Sequence, residues 1–235
     1  MSTRARDIAF PVALAGALTW YNNGAGRRSW HRRWYPLVNG GAAAVVLAAA
    51  AASGLTAGDL GLRRDRLRAG LWLGAVAAAP VAAAYAVAVV VPAARPPLRD
   101  NRVTGLTGRQ LCYQVLVRIP AGTVGWEETA FRGALHAALC RVLPRPAAIA
   151  AGGAVFGIWH IRPTAEALRG NGLANGPGAR AAAVAAVAGG TAAAGALLSV
   201  LRDRSGSLAA PAAVHLAANC LGPLAAALST RLERD

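Results

Sequence analysis

The sequence predicts an all-α fold, a polytopic transmembrane bundle of about seven to eight helices, and three observations predict it. Apolar residues make up 55% of the 235-residue chain. They fall in tracts of Ala, Val, Leu and Gly almost free of charge. Short arginine clusters separate the tracts, as expected of spans alternating with loops. The mean hydropathy of +0.39 understates the tracts, because the intervening arginines lower the average.

The first apolar segment, residues 8–21, follows Arg4 and Arg6 and ends in Trp20 and Tyr21, which suit a membrane interface. It is short for crossing and reads as an uncleaved first span or an interfacial helix. A signal-peptide core would be followed by a small-residue cleavage site, whereas Asn22, Asn23 and Gly24 come next. A polar loop holds Arg27, Arg28, Arg32 and Arg33, with His31 expected to be solvated among them. The second segment, 35–55, is entered through Trp34 and Tyr35; Arg63, Arg64, Arg66 and Arg68 fill the loop after it. The third, 71–91, contains Trp72 near its start and stops at Pro92.

A connector rich in Pro and Arg, 92–109, separates a front part (residues 1–109) from residues 110–235, the two expected to form one structural domain. The fourth segment, 111–124, is broken by Pro120 and Gly122 and contains Arg118. The fifth, 126–143, is amphipathic and closes at Pro144 and Pro146; the sixth is 147–161, the seventh 181–201 and the last 208–228. Gly152, Gly153, Gly189, Gly190 and Gly195 punctuate the later segments. In lipid, small faces let helix backbones approach closely.

The formal charge of +15 invites a nucleic-acid reading. That class is set aside, because the charge lies in blocks between apolar tracts rather than along one polar face. The expected partner is the bilayer, whose anionic headgroups suit flanking arginines, and the expected location is the plasma membrane, crossed several times. The first three loops carry four arginines each, so the positive-inside rule returns no orientation. Cys112, Cys140 and Cys220 lie in apolar surroundings without zinc-ligand spacing and read as packing residues.

Of the ten acidic residues, Asp7, Asp59, Asp65, Asp100, Asp203, Glu233 and Asp235 read as loop or chain-end residues, and Glu166 follows a Pro-Thr turn. Glu127 and Glu128 alone sit inside a helical apolar segment, with Arg132 close behind. A charge at mid-bilayer costs roughly 2.5–3.5 kcal/mol on insertion scales, so these three must pair, face water or work. Glu128 and Arg132 are four apart, acid first, the favourable order for a side-chain pair. Glu127 is rotated by about 100° from Glu128 and lacks such a partner. Glu128–Arg132 is therefore expected to be a supporting ion pair, with Glu127 left for proton chemistry. His136, one turn beyond Arg132, reads as structural. His160 ends an apolar run, and His215 lies inside the last segment with Asn219 on the same face. Two such histidines, an Asn and a buried carboxylate pair point to a functional site.

These residues also carry a resemblance. Glu127-Glu128-Thr-Ala-Phe131-Arg132-Gly133 resembles the EExxxR signature, with its FRG ending, of the CAAX-protease and bacteriocin-processing (CPBP, Abi) family of intramembrane peptidases. Phe156-Gly-Ile-Trp-His160 resembles its FxxxH motif. His215-Leu-Ala-Ala-Asn219, approached by Ser205-Gly-Ser-Leu, resembles its HxxxN motif. The three stand in the family's order on apolar segments and cover residues 111–228. The resemblance implies an eight-helix-type bundle with a water-filled cavity opening to the cytosolic side. It also implies proteolysis of a membrane-associated protein or peptide near its C-terminus; prenyl specificity is not carried over.

The side chains support an outline of mechanism. Glu127 takes a proton from a water held also by His160 and returns it to the leaving amine, while His215 and Asn219 donate to the developing oxyanion. The family is often labelled a metalloprotease. An alternative makes Glu127, His160 and His215 a zinc set of one glutamate and two histidines, with Glu128 as base. The absence of an HExxH pair and the Glu128–Arg132 pairing favour the metal-free form. Two other classes rank below the peptidase. A transporter or proton relay should show inverted repeats or paired broken helices, and Pro120 marks a single break. A catalytically silent scaffold or immunity protein would keep the motifs for packing, yet no motif residue is missing here.

Overall fold

The computed structural model describes residues 3–24 and 29–233, so Arg27, Arg28 and Asp235 lie outside it. Every regular element among the described residues is helical. Helix α1 is Thr3–Asn23, α2 Ser29–Arg33, α3 Tyr35–Ala52, α4 Leu67–Val90 and α5 Asn101–Thr104. Helix α6 runs without interruption over residues 108–142, then α7 is Arg145–Trp159, α8 Ile161–Gly170, α9 Pro177–Ser205 and α10 Ala209–Leu232.

The fourth and fifth predicted segments are thus one helix rather than two. Its start is fixed by a capping box in which Thr107 and Gln110 satisfy each other's backbone N–H. Pro120 does not end it, because residues 114–124 and 128–135 adopt the wider π-helical winding. An α-helix would drive the proline ring into the preceding turn, and a π-bulge gives the ring room. Proline also leaves a carbonyl without its usual donor; the Cys220 thiol on α10 bonds the Val115 carbonyl at 3.4 Å.

Among the described residues, four helical stretches are long and apolar enough to cross a membrane: Tyr35–Ala52, Arg64–Val90, Pro177–Ser205 and Ala209–Leu232. Only 6% of the 18-residue apolar stretch within Arg64–Val90 is buried inside the molecule, so its apolar surface faces outward. With Leu37, Val45, Trp72, Val90 and Leu116 also exposed, that surface is one a bilayer covers and water does not. The chain is a membrane protein of the all-α class.

Helix α10 packs along α4 and against α6, α9 packs along α7, and α1 lies against α7. The closest approaches occur at glycines. A Cβ on Gly157 would sit 2.5 Å from the Ala188 carbonyl oxygen, and one on Gly122 would sit 2.7 Å from the Tyr35 ring. By contrast, Gly189 and Gly190 have open space around them. Further sequence expectations change. Asp203 lies within α9 rather than in a loop, and His136 bonds it at 2.9 Å. Asp7 lies in α1, and Glu166 belongs to α8, where it pairs with Arg162. The three cysteines are free thiols, and Cys112 is exposed rather than packed.

Candidate active site

Glu127, Glu128 and Arg132 project from the middle of α6 and are all buried. Glu128 Oε1 accepts from Arg132 Nη1 at 3.2 Å, and the same oxygen accepts from His215 Nδ1 at 2.7 Å. Of these two donors Arg132 belongs to α6 itself, and His215 holds α10 to α6. The Arg132 guanidinium also lies over the Phe156 ring, 4.0 Å from its centroid, so α7 completes its surroundings.

Glu127 is treated differently. Its Oε1 accepts only the Trp159 indole N–H, at 3.2 Å, and it lines an open cleft; its Oε2, like that of Glu128, is buried without a hydrogen-bond partner. Buried polar atoms rarely lack partners, and each that does calls for an explanation. His215 Nε2 stands 3.7 Å from this oxygen, an ion-pair distance too long for a hydrogen bond. His215 therefore bridges the two glutamates, fixed on Glu128 by one nitrogen and facing Glu127 with the other.

His160 occupies the joint between α7 and α8, with φ −90° and ψ −5°. Its Nδ1 lies 2.8 Å from the Phe156 carbonyl. A carbonyl only accepts, so Nδ1 carries a hydrogen, and in the neutral ring Nε2 is then the acceptor. The joint is clamped by the end of α1. Asn22 Nδ2 donates to the Trp159 carbonyl at 2.8 Å and Asn23 Nδ2 to the Ile158 carbonyl at 3.0 Å. These are orphan carbonyls of a helix end. Asn23 Oδ1 also accepts from the Arg162 N–H at the start of α8.

Glu127, His160 and Asn219 line one cleft of about 400 Å³, together with Trp159, Thr123 and Tyr35. One amide hydrogen of Asn219 is used on the His215 carbonyl at 3.1 Å. The structure thus gathers Glu127, His160 and Asn219 on a shared cavity, with His215, Glu128 and Arg132 directly behind. Among the described residues no three His, Cys, Asp or Glu side chains are gathered as a metal-ligand group. Of the suggested trio, Glu127 and His215 make an ion-pair contact.

Several lining residues were not legible as site residues. His31, expected in solvent, is buried, with Nε2 3.2 Å from both the Tyr21 hydroxyl and Asn39 Oδ1. Its flanking arginines suggested exposure, but three aromatic rings surround it, those of Tyr21, Trp30 and Tyr35. Trp159 and Asn22 carried no motif beyond adjacency to His160 and to the end of α1. Outside the spans, Asp100 also borders this region through Arg102; the hydrogen bonds from Arg102 hold its carboxyl below the usual carboxylate range.

The curated proteins and the solved structures yield no match to the chain. Residues 109–221 match the model of the type II CAAX prenyl endopeptidase Rce1-like family. That stretch contains Glu127, Glu128, Arg132, His160, His215 and Asn219. All three motifs lie inside the matched stretch, so residues 109–221 of this chain are similar to the Rce1-like family of type II CAAX prenyl endopeptidases.

Proposed function

We propose that the chain is an intramembrane endopeptidase of the plasma membrane that hydrolyses a peptide bond of a membrane-associated protein or peptide by glutamate-activated water. One observation carries the reading. The Glu127 carboxylate has one oxygen held by Trp159 and the other buried, unpartnered and beside a cleft shared with His160 and Asn219.

Two acceptors then share one water. Glu127 Oε2 and His160 Nε2 each take one of its hydrogens, which leaves an oxygen lone pair for the scissile carbonyl. As the water attacks, its proton passes to Glu127, and Glu127 returns it to the departing amine. The second amide hydrogen of Asn219 donates to the developing oxyanion. His215 joins it when both ring nitrogens carry hydrogen, since Nδ1–H is committed to Glu128. Such donors are worth more in a poorly hydrated site than in water. Glu128 and Arg132 position His215 and take no proton.

The test is to profile the C-termini of membrane proteins in cells expressing the chain or its Glu127→Gln variant. Shortened C-termini are expected with the native chain, and their rate of appearance should fall by about 10²–10⁴-fold with the variant. Undiminished cleavage by a folded Glu127→Gln protein would remove Glu127 as the base. Cleavage that persists in strong chelator is expected of this metal-free route.

A further inference from the structure

A second cavity, of about 670 Å³, adjoins the site cleft. Arg102, Arg118, Thr123 and Asn219 line both, so the space beside Glu127 continues along α6 and α10. The charges along this path are unequal. Arg102 is matched by Asp100, Arg99 by Glu233 and Arg162 by Glu166. Arg118 makes no ion pair with an acid of the chain among the described residues. Its guanidinium lies over the Tyr35 ring at 4.5 Å and donates to Gln114 Oε1 at 3.2 Å. It is half-buried within an apolar stretch of α6, where an uncompensated charge is costly and marks a functional position. Planar guanidinium groups pair best with carboxylates, with which they form two parallel hydrogen bonds. Around Arg118, Thr123 and Asn219 add neutral polar groups; of the carboxylates lining the two cavities, Asp100 and Glu166 are held by Arg102 and Arg162, and Glu127 makes no ion pair with Arg118.

We propose that Arg118 binds a carboxylate of the substrate and thereby sets the register of the peptide against Glu127. The carboxylate belongs to the free C-terminus or to an acidic side chain close to the scissile bond. This assignment rests on the peptidase reading for its purpose, but binding can be measured without cleavage.

The Glu127→Gln protein, in nanodiscs of zwitterionic lipid, is titrated against a fluorescent Ala/Leu hexapeptide and followed by anisotropy. The peptide is used as the free acid, as the C-terminal amide, and as the amide with Glu at the penultimate position. The acid should bind about tenfold or more tightly than the plain amide. Adding Arg118→Gln should bring the acid down to the affinity of the amide while leaving the amide unchanged. Arg118→Lys should keep part of the preference. Recovery of affinity by the Glu-containing amide would assign the side-chain carboxylate, and its failure the chain terminus.

Equal affinities of acid and amide, an acid preference that survives Arg118→Gln, or no binding by any form would overturn the proposal. If Arg118→Gln weakens the amide as well, the cavity is damaged and Arg118→Lys decides, an undiminished acid preference there counting against Arg118. Cleavage by Glu127→Gln in the profiling experiment is a separate result. It overturns the base and leaves the carboxylate site standing.

Discussion

Glu127 and Glu128 are neighbours in sequence, and their surroundings divide their roles. Glu128 receives a guanidinium and an imidazole on one oxygen and Glu127 a single indole N–H; each keeps its other oxygen unbonded, but only Glu127 of the two lines the cleft. The spacing of Glu128 and Arg132 made the first half of that division legible, because a four-residue separation on a helix is a local property. The indole was not legible: whether Trp159 reaches Glu127 depends on where α7 stops against α6, and that contact spans 32 positions of sequence. Trp159→Phe removes the donor while preserving a ring against Phe131 and Tyr21. A hydrogen bond to a charged group is worth about 1.5–3 kcal/mol, so kcat should fall by about 10-fold to 100-fold with little change in KM. Steady-state rates on a substrate identified by the profiling experiment would decide it, and an unchanged kcat would show that Glu127 does not depend on the indole.

At the scale of elements, the apolar tracts located the long helices, and proline and glycine were the source of the errors. Pro120 reads as a terminator if only α-helical winding is considered, yet the π-helical stretches carry the helix past it to Glu127. Gly122 reads as part of the same break, but it lets the Tyr35 ring lie against α6. Glycine content pointed correctly to close packing without saying which glycines pack. Gly157 faces the Ala188 carbonyl and Ala192, whereas Gly189, in the same helix pair, faces open space. Gly157→Ala should therefore force α7 from α9 and cost about 1–3 kcal/mol, seen as a lower thermal midpoint in detergent. His160 sits three residues further on, so activity should fall with it. Gly189→Ala should be neutral or slightly stabilising, since alanine favours the helix and meets nothing. Similar midpoints for the two variants would show that α7 and α9 are not held at this contact.

At the scale of the whole molecule, residues outside the matched stretch 109–221 build part of the site. Asn22 and Asn23 close the end of α7, Tyr35 lies under Arg118, and His31 and Tyr35 line the cleft with Glu127. The motifs gave no hint of this, because they lie in the second half and the front half reads as basic loops and plain spans. Asn39 joins the two parts most directly. Its amide donates to the Gly122 carbonyl at 2.6 Å, and its oxygen accepts from the Tyr21 hydroxyl at 2.6 Å. Replacing it by Leu keeps approximate size but leaves the buried Gly122 carbonyl and the Tyr21 hydroxyl without these partners. An unsatisfied buried polar group costs about 1–3 kcal/mol, so Asn39→Leu should lower the thermal midpoint. It should also depress cleavage, although Asn39 touches none of the motif residues, because Tyr35 and His31 would lose the wall they form with α6. A variant as stable and as active as the native chain would mean that the second half assembles its cleft without help from α3.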